Sequence, residues 1–344
     1  MLTLVACANE ARPTMMTNKA SGRHRIAQML ARTLGAPVAI GVLWLLRLSK
    51  RRVGVALMYH AVDEHAGDPD RELVPAVASS IFEGQLRHLN RHYRVVSAGH
   101  LLAAVNARRR GARYPAAITF DDDLRSHVAV TLPILQRTGV TATFFLTGVS
   151  LERPFSFWWE RMARVLEKGP SSLANVLAVG DADVQTSVQE LGVAIKQLDP
   201  GARAAVEGRL RNLAGPDPPD AGLRTADVRH LVEAQMEIGF HTLQHDNLRL
   251  LTPPLLALAM ENGRAVLEKI VGEPLRIICY PYGEADERVA GAAREAGFVS
   301  GFTAQSGAVT PVGNPLLSKR VSPSHRSAGA LAIRTVVSLL RPNP

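Results

Sequence analysis

Two hydrophobic periods alternate along this chain. Short runs rich in β-branched and aromatic residues recur between Val53 and Val321, separated by longer stretches with apolar residues at helical spacing. Val53 to His60 predicts a strand, and Ser79 to His92 a helix with Ile81, Phe82, Leu86 and Leu89 facing inward. Ala116 to Asp121 predicts a strand followed by a helix to about Arg137, and Thr141 to Leu146 another strand. Thr225 reads as the cap of a helix to about Met236. Glu237 to His241 then reads as a short strand, Leu255 to Val271 as one helix and Ile277 to Tyr280 as a strand. Glu284 to Ala296 predicts a helix ended by Gly297, and Val299 to Thr303 and Leu316 to Val321 predict the last strands.

Strands alternating with helices imply an α/β protein with a mostly parallel sheet. The stretch from about 151 to 222 interrupts the alternation. It opens with Phe-Ser-Phe-Trp-Trp, has helical periodicity and contains the breaker Gly-Pro-Asp-Pro-Pro-Asp, which marks an inserted helical subdomain. Its Trp158 and Trp159 suit either stacking on sugar rings or anchoring the insert. The chain therefore divides into a tail (1–52) and a main domain (53–344) that carries the insert.

Composition sharpens this division. The net charge of +9 is concentrated in the tail, where nine Lys/Arg face one acid, Glu10. The remainder is close to neutral, so the basic balance gives no reason to expect a nucleic-acid partner. The tail's apolar run, 36–46, is too short to span a bilayer, and no small-residue cleavage site follows it. Upstream, Ile26, Met29, Leu30 and Leu34 follow helical spacing, with Arg25 and Arg32 off that face. This pattern fits either a basic amphipathic segment in peripheral contact with an anionic membrane or a frayed leader ahead of a start at Met15 or Met16. Without a convincing cleavable signal, the expected location is cytoplasmic or peripheral to the inner membrane. Cys7 and Cys279 are the only cysteines, so any metal must be held by His and Asp.

The candidate chemistry sits at predicted strand ends. Leu-Met-Tyr-His60, Ile-Thr-Phe-Asp121-Asp122, Ile-Gly-Phe-His241 and Ile-Cys-Tyr-Pro-Tyr282 each close a strand, and in a parallel barrel such ends converge on one face. His241 and His245, four apart, can reach one ion together with a carboxylate, leaving a position for water. A second carboxylate beside them can take that water's proton. Adjacent Asp121 and Asp122, on a strand, would point to opposite sides and take separate roles. The competing reading is that Asp121-Asp122-Asp123 caps a helix starting near Leu124.

Three motifs carry a resemblance. Thr119-Phe-Asp-Asp-Asp123, His241-Thr-Leu-Gln-His245 and Tyr280-Pro-Tyr-Gly283 resemble the Thr-Phe-Asp-Asp-Gly, His-Ser/Thr-x-x-His and Tyr-Pro-Tyr-Gly motifs of the NodB-homology polysaccharide deacetylases, carbohydrate esterase family 4. Thr141-Ala-Thr-Phe-Phe145 and Arg294-Glu-Ala-Gly-Phe298 extend the resemblance, which runs from about Val53 to Val321 outside most of the insert. It implies a deformed (β/α) barrel of about seven strands. It also implies a divalent metal, Zn²⁺ by preference, on Asp122, His241 and His245, with Asp121 as general base and the Tyr282 N–H as oxyanion donor. The implied reaction removes N-acetyl groups from a GlcNAc-containing glycan.

This chain departs from the family pattern in three places. Asp123 replaces the family's Gly and would set a third carboxylate beside the site. Cys279 stands where many members have an Arg that orients the base, and Arg320 on the last strand is the candidate substitute. The late Leu-x-His motif is not evident, and His325 reads as a loop residue, so His60 is proposed as the general acid. A catalytically silent glycan-binding or polysaccharide-assembly protein on the same fold is the alternative function.

Overall fold

The computed structural model describes residues 36–169 and 187–341. The tail segment carrying Ile26, Met29, Leu30 and Leu34, and part of the insert, lie outside these residues. Seven parallel strands run in chain order: β1 (Val55–Tyr59), β2 (Pro115–Asp121), β3 (Thr143–Leu146), β4 (Glu237–Phe240), β5 (Ile277–Cys279), β6 (Ser300–Ser306) and β7 (Ser318–Arg320). A two-residue strand, Arg94–Val95, pairs with the start of β2. Val321 closes the ring onto β1, its N–H donating to Ala56 O at 2.7 Å and its carbonyl accepting from Met58 N at 3.1 Å. The architecture is the expected deformed (β/α) barrel of seven strands.

The register explains the site. Side chains alternate across each strand, so Ala117, Thr119 and Asp121 share one face of β2. Ala56, Ala117, Phe145, Cys279 and Phe302 form one buried cluster, while Leu57, Ile118, Phe120 and Phe144 belong to another under the surrounding helices. Phe145 leaves no space opposite it: a Cβ on Gly239 would fall 2.5 Å from its ring. The same alternation carries Asp121, His241 and Cys279 to the inner face where β2, β4 and β5 end.

Most predicted elements are present, the Ser79–His92 helix with its full range. Leu255 to Val271 is instead two helices, Pro253–Glu261 and Arg264–Val271. Asn262 leaves the helical region at ψ 127° and Gly263 takes a left-handed φ of 79°, while the apolar periodicity runs on through the break. Arg224, not Thr225, is the N-cap of the next-but-one helix upstream, Thr225–Glu233. After β2 the chain enters a π-helical turn, His127–Thr131, and then the Leu132–Thr138 helix, so the three aspartates cap nothing.

The insert has its own core. The helices Trp158–Glu167, Val188–Lys196 and Pro200–Ala214 bury Trp158, Met162, Val165, Leu191, Val206 and Leu210 together. Arg161, itself buried, forks onto Asp217. The two ends of the insert meet at Ser150, whose Oγ lies 2.8 Å from Leu223 O and accepts from Leu223 N at 2.9 Å. Residues 36–47 form a helix that buries Ala39 and Leu43 against the barrel, at the end where β1 and β2 begin.

Candidate active site

Asp121 is the last residue of β2 and is fully buried. Arg320 grips it in a fork, with Nη1 2.7 Å from Oδ1 and Nη2 2.7 Å from Oδ2. Arg320 is fixed in turn by Thr303 O at 2.9 Å and Thr119 Oγ1 at 3.1 Å. Burial pushes the Asp121 carboxyl upward, but the guanidinium outweighs it and leaves the pKa at about 2. Cys279 Sγ donates to Asp121 Oδ2 at 3.5 Å, and His60 Nε2 lies 3.9 Å from the same oxygen. Burial lowers the pKa of His60, so its resting imidazole is neutral.

Asp122 does not obey strand alternation. Its φ of 74° takes it out of β2 and turns its carboxylate back toward the same cavity as Asp121. The two aspartates therefore meet in one site, contrary to the expectation that they face opposite sides. His127 secures this turn, its Nε2–H donating to Asp121 O at 3.1 Å and Asp122 O at 3.0 Å. Asp122 Oδ1 stands 3.5 Å from His241 Nε2 and 3.3 Å from His245 Nε2, with no hydrogen bond of its own among the described residues.

These three donors fit a divalent ion. Ligand bonds near 2.1 Å in a tetrahedral site separate donor atoms by about 3.4 Å. His241 Nδ1–H donates to Cys279 O at 2.7 Å, which fixes its tautomer and directs Nε2 to the cluster. Burial lowers His245 to about 4, holding it in the neutral form a ligand needs, whereas the Asp122 carboxylate raises His241 above the usual imidazole range despite burial, so an ion bound there would displace the His241 Nε2 proton. An orphaned buried carboxylate oxygen facing two imidazole nitrogens is the arrangement that metal ligation resolves.

Asp123 lies outside the cavity. Its Oδ1 accepts from Thr147 N and its Oδ2 from Thr147 Oγ1, both at 2.8 Å, and Ser150 Oγ lies 3.2 Å from Oδ2. The expected third site carboxylate is thus a clasp between the end of β2 and the start of the insert.

Tyr282 occupies the loop after β5 with φ 59° and ψ 3°. Gly283 follows at φ 67°, where a Cβ would fall 2.1 Å from Ala304 Cβ. The Tyr282 ring stands edge-on to His245, centroids 4.7 Å apart, and Trp158 Nε1–H donates to its hydroxyl at 3.1 Å. Trp158 and Trp159 are both buried. Trp159 also reaches the cavity wall beside His245, so anchoring dominates without removing that tryptophan from the site. The cavity, about 310 Å³, joins Asp121, Asp122, His60, His241, His245 and Arg320. His325, read as a loop residue, lies in a loop and also lines it.

Two lining or bracing groups from the insert were not anticipated. Arg203 donates to His245 O at 2.8 Å, Gln244 O at 3.0 Å and Asp246 Oδ1 at 2.7 Å, clamping the loop in which His245 holds a left-handed φ of 52°. Lys196 extends over the Tyr282 ring at 5.6 Å and lines the cavity.

The polysaccharide deacetylase family profile matches residues 108–176 and 205–301, a span that carries Asp121, Asp122, both histidines and Tyr282. The chain belongs to the polysaccharide deacetylase family. Among curated proteins nothing matches it. Among solved structures it is similar to the deacetylase PplD of Streptococcus pyogenes in complex with acetate, with TM-score 0.56 and 17% identity over 82% of this chain and 98% of that one. It is also similar to IcaB from Ammonifex degensii, with TM-score 0.54 and 18% identity over 82% and 97% of the two chains. A polysaccharide deacetylase from Bacillus cereus, BC0361, gives TM-score 0.51 and 18% identity over 82% and 69%. At these identities the likeness is one of fold.

Proposed function

We propose that this deacetylase-family chain is a divalent-metal-dependent hydrolase that removes N-acetyl groups from GlcNAc units of an oligo- or polysaccharide. The observation that carries the proposal is the convergence of Asp122, His241 and His245 on one point, beside an Arg320-held Asp121 and His60. The donor set of one carboxylate and two imidazoles suits Zn²⁺. The bound ion would supply Lewis-acid chemistry, polarising the acetamide carbonyl and acidifying a water.

The chain's own residues then divide the proton work. Asp121 is ionised at any working pH and has carboxylate lone pairs beyond those Arg320 occupies, so it accepts the proton of the attacking water. With so low a pKa it is a weak base and a ready donor onward. His60 Nε2, 3.9 Å away, is neutral at rest and must gain a proton before it can donate one. Passing the proton from Asp121 to His60 and then to the leaving nitrogen balances the reaction: a C–O bond forms, the C–N bond breaks, and a free amine and acetic acid leave, the second water proton departing to solvent as the acid ionises to acetate. The Tyr282 backbone N–H is assigned to the developing oxyanion.

A catalytically silent glycan-binding protein would follow if Asp123 disturbed the site and no Arg oriented the base. Asp123 is occupied with Thr147 and Ser150, and Arg320 supplies the guanidinium from another strand. Acetate release from a panel of N-acetylated oligosaccharides, assayed with the ion-loaded protein, tests the proposal. Release from at least one GlcNAc oligomer supports it, and binding without release across the panel supports the silent reading.

A further inference from the structure

The helix formed by residues 36–47 is apolar on both faces. Ala39 and Leu43 are buried against the barrel, with Val42 and Leu46 beside them. The opposite stripe carries Val38, Trp44, Leu45 and Leu48, which are 62%, 57%, 70% and 57% exposed. A helix with one face on protein and an equally apolar outer face has no partner for the second face among the described residues. Among the described residues no helix is long and apolar enough to cross a membrane.

Charge identifies the partner. The segments 36–52, 90–95 and 106–114 meet at this end of the barrel: Arg47 Nη2 donates to His92 O, Gly111 N to Arg47 O, and Tyr114 Oη to Leu46 O. None of the three contains Asp or Glu. Lys50, Arg52, Arg91, Arg109, Arg110 and Arg113 are exposed around the apolar stripe. The chain that leads into the helix, residues 1–35, adds five Lys/Arg against the single Glu10. An apolar stripe with an interfacial Trp, ringed by cations on side chains long enough to reach headgroups, is the chemistry of an anionic bilayer surface.

We infer that the barrel docks on an anionic lipid surface through the outer face of the 36–47 helix, with the catalytic cavity facing away from the bilayer. The second half follows from topology: the helix sits where β1 and β2 begin, whereas Asp121 and Asp122 lie where β2 ends. Docked this way, the cavity meets a glycan chain in the aqueous phase and not one lying in the bilayer plane. The inference does not depend on the proposed reaction.

The test is sedimentation of the full chain with vesicles of phosphatidylcholine alone or with phosphatidylglycerol added, at low and high salt, alongside size-exclusion chromatography. The expected result is binding to phosphatidylglycerol vesicles, weakened at least tenfold by salt. Leu45→Asp should abolish it and leave acetate release from a soluble oligomer unchanged. Trp44 is the only exposed tryptophan, so in the unmodified protein brominated lipids should quench emission that Trp44→Phe removes. This readout holds even if Leu45→Asp fails to fold. Absence of sedimentation and quenching overturns the inference. So does a stable dimer that Leu45→Asp converts to monomer, which would assign the stripe to a second copy of this chain.

Discussion

Arg320 and Asp121 stand 199 residues apart in sequence and form a buried two-pronged ion pair, both contacts at 2.7 Å. The pair is built by barrel closure, since Arg320 ends the last strand and Asp121 the second. It holds Asp121 ionised and aims its remaining lone pairs into the cavity.

Removing the guanidinium therefore has a signed effect. In the native chain the Asp121 pKa is depressed, so its contribution to stability is present above the ordinary carboxylate range and is lost as pH falls toward about 2. In Arg320→Met the main opposition to burial is gone, with His241 and His60 left as the weaker lowering groups, and Asp121 moves up. The acidic limb of kcat/KM should then move to higher pH, turnover should drop about 100-fold or more, and stability should fall by about 3–5 kcal/mol. Arg320→Lys restores charge without the fork and should recover only part. A pH–rate profile and thermal melts check this; an unmoved acidic limb contradicts the pairing's catalytic role.

His60→Ala should lower turnover by about 10²–10⁴-fold while metal content stays at the native value. The measurement is elemental analysis paired with acetate release. Unchanged turnover would remove His60 from the mechanism, and His325, the other histidine on that part of the wall, would become the candidate donor.

Arg203 acts through the loop it clamps and is a positioning residue. Arg203→Ala should weaken ion affinity by about 10- to 100-fold, with turnover largely recovered when the ion is saturating. Titrating the apo-protein with Zn²⁺ while following acetate release separates the two quantities. Native affinity with a depressed saturated rate would contradict the clamp.

Asp123→Gly restores the residue type seen in the related motif. Because the carboxylate fastens Thr147 and Ser150, the substitution should cost about 3 kcal/mol of stability and leave turnover no higher. A faster enzyme with an unchanged melting temperature would mean that Asp123 acts on the site after all.

Period and motif made the barrel and most of the site readable, because strand ends in a parallel barrel must converge and inner-face parity fixes Asp121 and His241. Parity failed at Asp122, where a left-handed residue returns a side chain that alternation would send away. Nothing in the one-dimensional pattern marks a non-glycine residue for that conformation. Asp123 looked like site chemistry because sequence adjacency hides a turn, and its partners Thr147 and Ser150 lie beyond β3. Arg203 and Lys196 were invisible for a different reason. They belong to a helical insert whose periodicity reports its own core and carries no information on which barrel loop it covers. Arg320 was legible as a candidate only through the gap left by Cys279.

The central claim is that Asp122, His241 and His245 hold an ion that hydrolysis requires. It is tested by acetate release from an N-acetylated glucosamine oligomer by the native, chelated and Zn²⁺-refilled protein, with bound metal measured on each sample. A metal-dependent deacetylase gives about one ion per chain, loses release on chelation and regains it on refilling, while Asp122→Asn neither retains the ion nor releases acetate. Release that survives complete removal of the ion, or full metal occupancy in Asp122→Asn, would contradict the claim.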